Sequence, residues 1–112
     1  PQRIFEIGDC LLIDERKETK TKEVRKLACA ISDTKVGYED ISTVLDSLLS
    51  TLGISYKLKR IEHESFIQGR VAGVFVKDKQ VGFIGEIHPL VLEKWNLEMP
   101  VVAFEIEVEV FK

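Results

Sequence analysis

Glu86 and His88 are the pair of side chains in this sequence best placed to move a proton. They lie two residues apart, so a strand running through them would put both on one face, where a carboxylate and an imidazole can work as general acid and base. Against that stands Pro89. Proline lacks an amide hydrogen and fixes its own φ, so it suits the first position of a helix and pushes the residue before it into an extended conformation. A histidine in that place reads as a helix cap or a packed turn residue.

The other candidates for chemistry are thinner. His63-Glu64 has no third partner nearby in sequence and reads as loop. Gly69-Arg70 with Gly73, and Gly82 with Gly85, lack the strand, loop and helix order and the lysine of a phosphate cradle. Glycines inside strands more often mark bulges or close backbone approaches. Glu105, Glu107 and Glu109 fall on one face of a strand and could bind a divalent ion, but carboxylates in that spacing usually make a wet face. Cys10 and Cys29 are too few for a disulfide framework and lack the paired spacing of a zinc site, so both read as small buried hydrophobes.

The elements that must position these residues follow from periodicity. Arg3 to Ile13 is apolar on both alternation parities, which reads as a central strand covered on both faces. Asp14 to Thr21 is a polar connection, and Val24 to Ser32 a second strand that closes a hairpin. Ile41, Val44, Leu45, Leu48, Leu49 and Leu52 recur at helical spacing, which predicts a helix over Asp40 to Leu52 with Gly53 as its left-handed stop. Ile54 to Ile61 reads as a strand with a wet face and His63 to Arg70 as irregular. Val71 to Val76 and Val81 to Ile87 flank a four-residue loop, Lys77 to Gln80.

Pro89 to Trp95 reads as a short helix with Asn96 its stop, and Val101 to Phe111 as a strand whose apolar face carries Val102, Phe104, Ile106, Val108 and Val110. Trp95 and Phe111 read as packing residues. The order β-β-α-β-β-β-α-β has no repeated βαβ unit, so the fold class is α+β: a mostly antiparallel sheet with flanking helices on one side.

Composition excludes several classes of function. The chain has 112 residues, 45% hydrophobic and 31% charged, with a net charge of −3, which bounds it to one charge-balanced globular domain over 1–112 and marks no nucleic-acid binder. Only Lys17 to Lys26 is locally basic, and Glu18 and Glu23 interrupt it, so a solvated hairpin face outweighs an RNA or partner contact. No apolar run approaches 18 residues and no basic-then-apolar leader opens the sequence, so neither a membrane span nor a secretory signal is expected, and the expected setting is the reduced cytoplasm. The chain opens on Pro1 and enters a strand almost at once, which suggests a piece of a longer polypeptide.

Five stretches, in order, resemble one family. They are Phe5-Glu6-Ile7-Gly8; Gly37 to Ile41 on through Leu48-Leu49 to Gly53; Phe66 to Ala72; Val81 to Pro89; and Pro100 to Glu105. Together they are similar to the C-terminal, catalytic-like module of the beta subunit of phenylalanyl-tRNA synthetase, archaeal or eukaryotic type. The resemblance implies a degenerate class II aminoacyl-tRNA synthetase core that pairs with an alpha subunit, which itself binds ATP and phenylalanine. It makes Phe5, Glu6, Gly8, Gly69, Arg70, Gly85, Glu86, His88 and Pro89 structural or interface candidates, with no catalytic, cofactor-binding or metal residue.

Degeneracy is visible in the residues. A working third motif needs glycines and an ATP-binding arginine, yet Val101 to Phe111 has neither and offers Glu105, Glu107 and Glu109, which repel a triphosphate unless a metal intervenes. For the arginine of the second motif only Arg3 lies near, and it restores no site. The implied role is a non-catalytic structural and assembly domain of a heterotetrameric ligase. That holoenzyme would attach phenylalanine to tRNA(Phe) with ATP and Mg²⁺, with tRNA met through the holoenzyme and an isolated fragment prone to self-association. The alternatives are a stand-alone enzyme or a small-ligand-binding paralogue using Glu86 and His88.

Overall fold

The computed structural model describes the backbone of residues 2–13 and 21–111 and the side chains of residues 25–109. The expected connection over 14–20 lies outside the described residues. Two twelve-residue strands, β1 (Gln2–Ile13) and β2 (Thr21–Ser32), pair antiparallel from Gln2 opposite Ser32 to Ile13 opposite Thr21. Then come helix α1 (Tyr38–Thr51), strands β3 (Lys57–Arg60), β4 (Phe66–Val76) and β5 (Lys79–Ile87), helix α2 (Pro89–Lys94) and strand β6 (Val101–Glu107), closed by a 3-10 turn over Val108–Phe111. The strands form one six-stranded sheet in the order β1-β2-β6-β5-β4-β3, antiparallel at every pairing. The α+β order is the one read from the sequence.

One face of this sheet makes the core. Ile41, Leu45 and Leu49 of α1 are fully buried against Leu27, Cys29 and Ile31 of β2, Ile84 of β5 and Val102, Phe104 and Ile106 of β6. Burying each large aliphatic side chain contributes about 1.5–3 kcal/mol, so the stripe at positions 41, 45 and 49 is what fixes α1 to the sheet. The helix ends in a Schellman motif. Gly53 sits at φ 72°, its amide donates to Ser50 O at 3.0 Å, and the Ile54 amide donates to Leu49 O at 2.9 Å.

Several expectations need correction. β1 is an edge strand, not a central one, because among the described residues it pairs with β2 alone. Apolar residues on both parities report what lies above and below a strand, not what lies beside it. β4 begins at Phe66, so the stretch read as irregular is strand from there on; the irregularity is a shift of register between Phe66 and Val71, where Gly69 sits at φ 83°. The loop over 77–80 is only a two-residue turn, Lys77 and Asp78, both at positive φ. β6 stops at Glu107, which takes Val108 and Glu109 off the strand. Trp95 is no packing residue: it is 73% exposed.

Candidate functional site

The candidate residues Gly69, Arg70 and Glu86 meet at the start of α1. Gly37, extended at φ −141°, caps the helix, and its amide donates to Asp40 Oδ2 at 2.8 Å while the Asp40 amide returns a bond to Gly37 O at 3.0 Å. Glycine has no side chain to cap the next amides. Glu86 supplies that function from β5, its Oε1 accepting from the Tyr38 amide at 3.1 Å. The same carboxylate holds Arg70 Nη1 through Oε2, also at 3.1 Å. Two acids therefore stand at the positive end of the helix dipole, where negative charge is stabilised.

These residues line an open groove of about 760 Å³, with Lys35, Arg60 and Arg70 as its cations and Glu39, Asp40 and Glu86 as its anions. A helix start with free amides is a ready site for a phosphate or carboxylate ligand. Here the protein's own carboxylates take that place. Glu86 has both oxygens engaged, one on the Tyr38 amide and one on Arg70. Tyr38 borders the groove, and burial pushes its hydroxyl pKa up.

His88 lies elsewhere. It is the N-cap of α2, and its Nδ1 accepts from the Leu90 amide at 3.1 Å with Pro89 in the first turn. Its own amide donates to Ser65 O at 2.8 Å. The ring borders a second groove with Glu62, His63, Glu64, Phe66 and Gln68. The His63 ring meets Phe66 edge-on at 4.9 Å and Phe83 at a tilt at 4.8 Å, its Nδ1 accepting from the Ser65 amide at 3.1 Å. Glu86 and His88, paired in the sequence reading, thus serve two different helix starts and line two different grooves.

Gly85 is set by packing. It pairs with Val71, and a Cβ there would stand 2.6 Å from Arg70 O and 2.9 Å from Val71 Cα. Gly82 is tighter still, since a Cβ would run into Glu105 O of β6. Phe5, Glu6 and Gly8 lie on β1 opposite Cys29, Ala28 and Lys26, with β2 and β6 between them and the Glu86 strand. Their side chains lie outside the described residues, as does that of Cys10; Cys29 is buried.

Glu107 Oε2 meets Lys79 Nζ at 3.9 Å, and Glu105 pairs across the ladder with Phe83. Among the described residues no group of three histidine, cysteine or acidic side chains could hold a metal. No helix among them is long and apolar enough to cross a membrane. Sequence reasoning missed Tyr38, Lys35 and Arg60 at the first groove. Gly37 with Asp40 three residues later was the available signal for the helix start, whereas nothing local points to Glu86 as its second cap.

By sequence, the known proteins most like this chain fall in one family. Residues 1–108 match the phenylalanyl tRNA synthetase beta chain CLM domain. The phenylalanine–tRNA ligase beta subunit of Thermococcus onnurineus is 55% identical over 106 residues, 95% of this chain and 18% of that protein. That of Methanocaldococcus jannaschii is 48% identical over 109 residues, 97% of this chain and 20% of that protein. The chain thus spans 18–20% of the length of these relatives. A solved structure of a pyrrolysyl tRNA synthetase from Desulfitobacterium hafniense shares the fold, with a TM-score of 0.75 at 22% identity over 99% of this chain and 40% of that one. By its sequence, the chain belongs to the phenylalanyl tRNA synthetase beta chain CLM domain family.

Proposed function

We propose that this chain is a non-catalytic assembly module of a longer phenylalanine–tRNA ligase beta subunit, working in the cytoplasm. It pairs with an alpha subunit that carries the chemistry, and the holoenzyme joins phenylalanine to tRNA(Phe) with ATP and Mg²⁺. The 112 residues act as one domain, a degenerate relative of a class II synthetase core. The observation that carries this reading is the carboxylate-capped helix start: the Tyr38 amide is bonded to Glu86 and the Gly37 amide to Asp40 of the chain itself. The acidic face of β6, with Glu105 and Glu107 where a nucleotide-binding strand needs glycine and arginine, supports it.

Calorimetry of the chain with ATP and Mg²⁺, alongside phenylalanine-dependent pyrophosphate exchange, tests the reading. Neither binding nor exchange is expected. Micromolar ATP affinity or measurable exchange would overturn it and favour a ligand-binding paralogue or a stand-alone enzyme.

A further inference from the structure

Helix α2 is six residues long and buries none of them, yet both its ends are built. Pro89 and the His88 imidazole start it, and the bond from His88 N to Ser65 O ties it to the turn before β4. At the far end the chain closes a second Schellman motif, in which the Asn96 amide donates to Glu93 O at 3.1 Å and the Leu97 amide to Leu92 O at 2.9 Å, with Asn96 at φ 57°. A helix this short is not stable in water on propensity alone. Its caps hold it in place with only Val91 and Leu92 half-buried to offset the cost of ordering it.

What the capped segment presents to solvent is apolar. Leu90 is 65% exposed, Trp95 73%, Leu97 50% and Met99 37%; they are four of the six large exposed hydrophobics among the described side chains. The charges around them are mostly of one sign. Glu93 and Glu98 belong to the segment, and Glu64 lines a groove of about 650 Å³ together with Leu90, Val91 and Glu93, against Lys94 alone.

We infer that Leu90 to Met99 is a docking surface, anchored by Trp95, for an apolar face rimmed with lysine or arginine on the partner subunit. Charge complementarity selects that occupant: three exposed carboxylates, Glu64, Glu93 and Glu98, against one lysine repel a second copy of the same surface and attract a basic rim. Exposed tryptophan is the residue type that most often dominates such interfaces. The inference rests on the assembly role proposed above and names the surface through which that role is exercised.

The test uses the heteromer in which this chain sits within its full-length beta subunit, with Trp95→Ala and the triple variant Glu64→Lys, Glu93→Lys, Glu98→Lys. All four side chains are exposed, so circular dichroism should match wild type. Trp95→Ala is expected to weaken subunit association at least about tenfold. The triple variant should weaken it at least about tenfold at low salt and invert its salt dependence, so that added salt strengthens association. If neither variant changes a heteromer that forms normally, this surface is not the docking site, although the assembly role stands. Loss with Trp95→Ala but no effect, or a gain, from charge reversal overturns the basic rim. Self-association of the chain abolished by Trp95→Ala would make the occupant a second copy, and wild-type subunits that fail to associate would remove the assembly role itself.

Discussion

Replacing Glu86 probes how the start of α1 is held. Its Oε1 accepts the Tyr38 amide and its Oε2 holds Arg70 Nη1, each at 3.1 Å, with the Glu86 side chain 17% exposed and that of Arg70 60%. The amide contact is charge-assisted and sits at the positive end of a fourteen-residue helix. Capping and dipole together make it worth about 1–2 kcal/mol. The arginine contact stands largely in water and contributes about 0.5 kcal/mol or less. Glu86→Ala should therefore lower stability by about 2 kcal/mol, and Glu86→Gln by about 1 kcal/mol because its amide oxygen still accepts from Tyr38 without the charge. Urea unfolding with a slope of about 1.5 kcal/mol/M would register midpoint drops of about 1.3 M and 0.7 M, and about 0.3 M for Arg70→Ala. The ranking is the test. An Arg70→Ala loss equal to that of Glu86→Ala, or a Glu86→Ala loss under about 0.5 kcal/mol, would refute the assignment of Glu86 as a cap.

Gly85→Ala should cost about 3 kcal/mol, because the new Cβ meets backbone of β4 that cannot move aside, and unfolding near the wild-type midpoint would contradict the close approach. His88→Ala should cost about 1 kcal/mol and His88→Asn much less, since asparagine can accept the Leu90 amide in the same role; equal losses in urea would argue against the cap. The Tyr56 hydroxyl is pushed up to about 12 from 10.0 by burial, then by its hydrogen bond to Asp46 at 2.8 Å and the charge of that carboxylate. A folded value raised above the unfolded one stabilises the fold at pH below 10.0, and that contribution is lost as pH rises through about 12. Phenolate absorbance should follow this titration and Tyr56→Phe should remove its effect on stability, whereas ionisation of Tyr56 near pH 10 would contradict the contact.

The parts of this fold that were legible in the sequence are those in which one residue's surroundings repeat. Ile41, Leu45 and Leu49 recur with the helical period because a single sheet covers one side of α1, and Val102, Phe104 and Ile106 alternate because β6 is buried on that same face. Pro89 and Asn96 announced α2 through backbone chemistry that belongs to those residues alone. What could not be read depends on partners distant in sequence. The bond from Tyr38 to Glu86 spans 48 positions, and no periodicity encodes it. Trp95 reads as a packing residue on residue type, but burial is decided by what neighbours a helix has, and α2 fully buries none of its residues. The lateral place of β1 was equally out of reach, because its apolar residues are the same whether a strand lies beside it or not.

The central claim, an assembly role without chemistry, is tested most directly by the aminoacylation rate of the assembled heteromer carrying Glu86→Gln or His88→Ala. With each residue engaged in capping a helix, the rate should stay within a few-fold of wild type once the variant is folded and assembled. A loss of about a thousandfold in a normally assembled enzyme is the size expected of a missing general acid or base, and it would contradict the account.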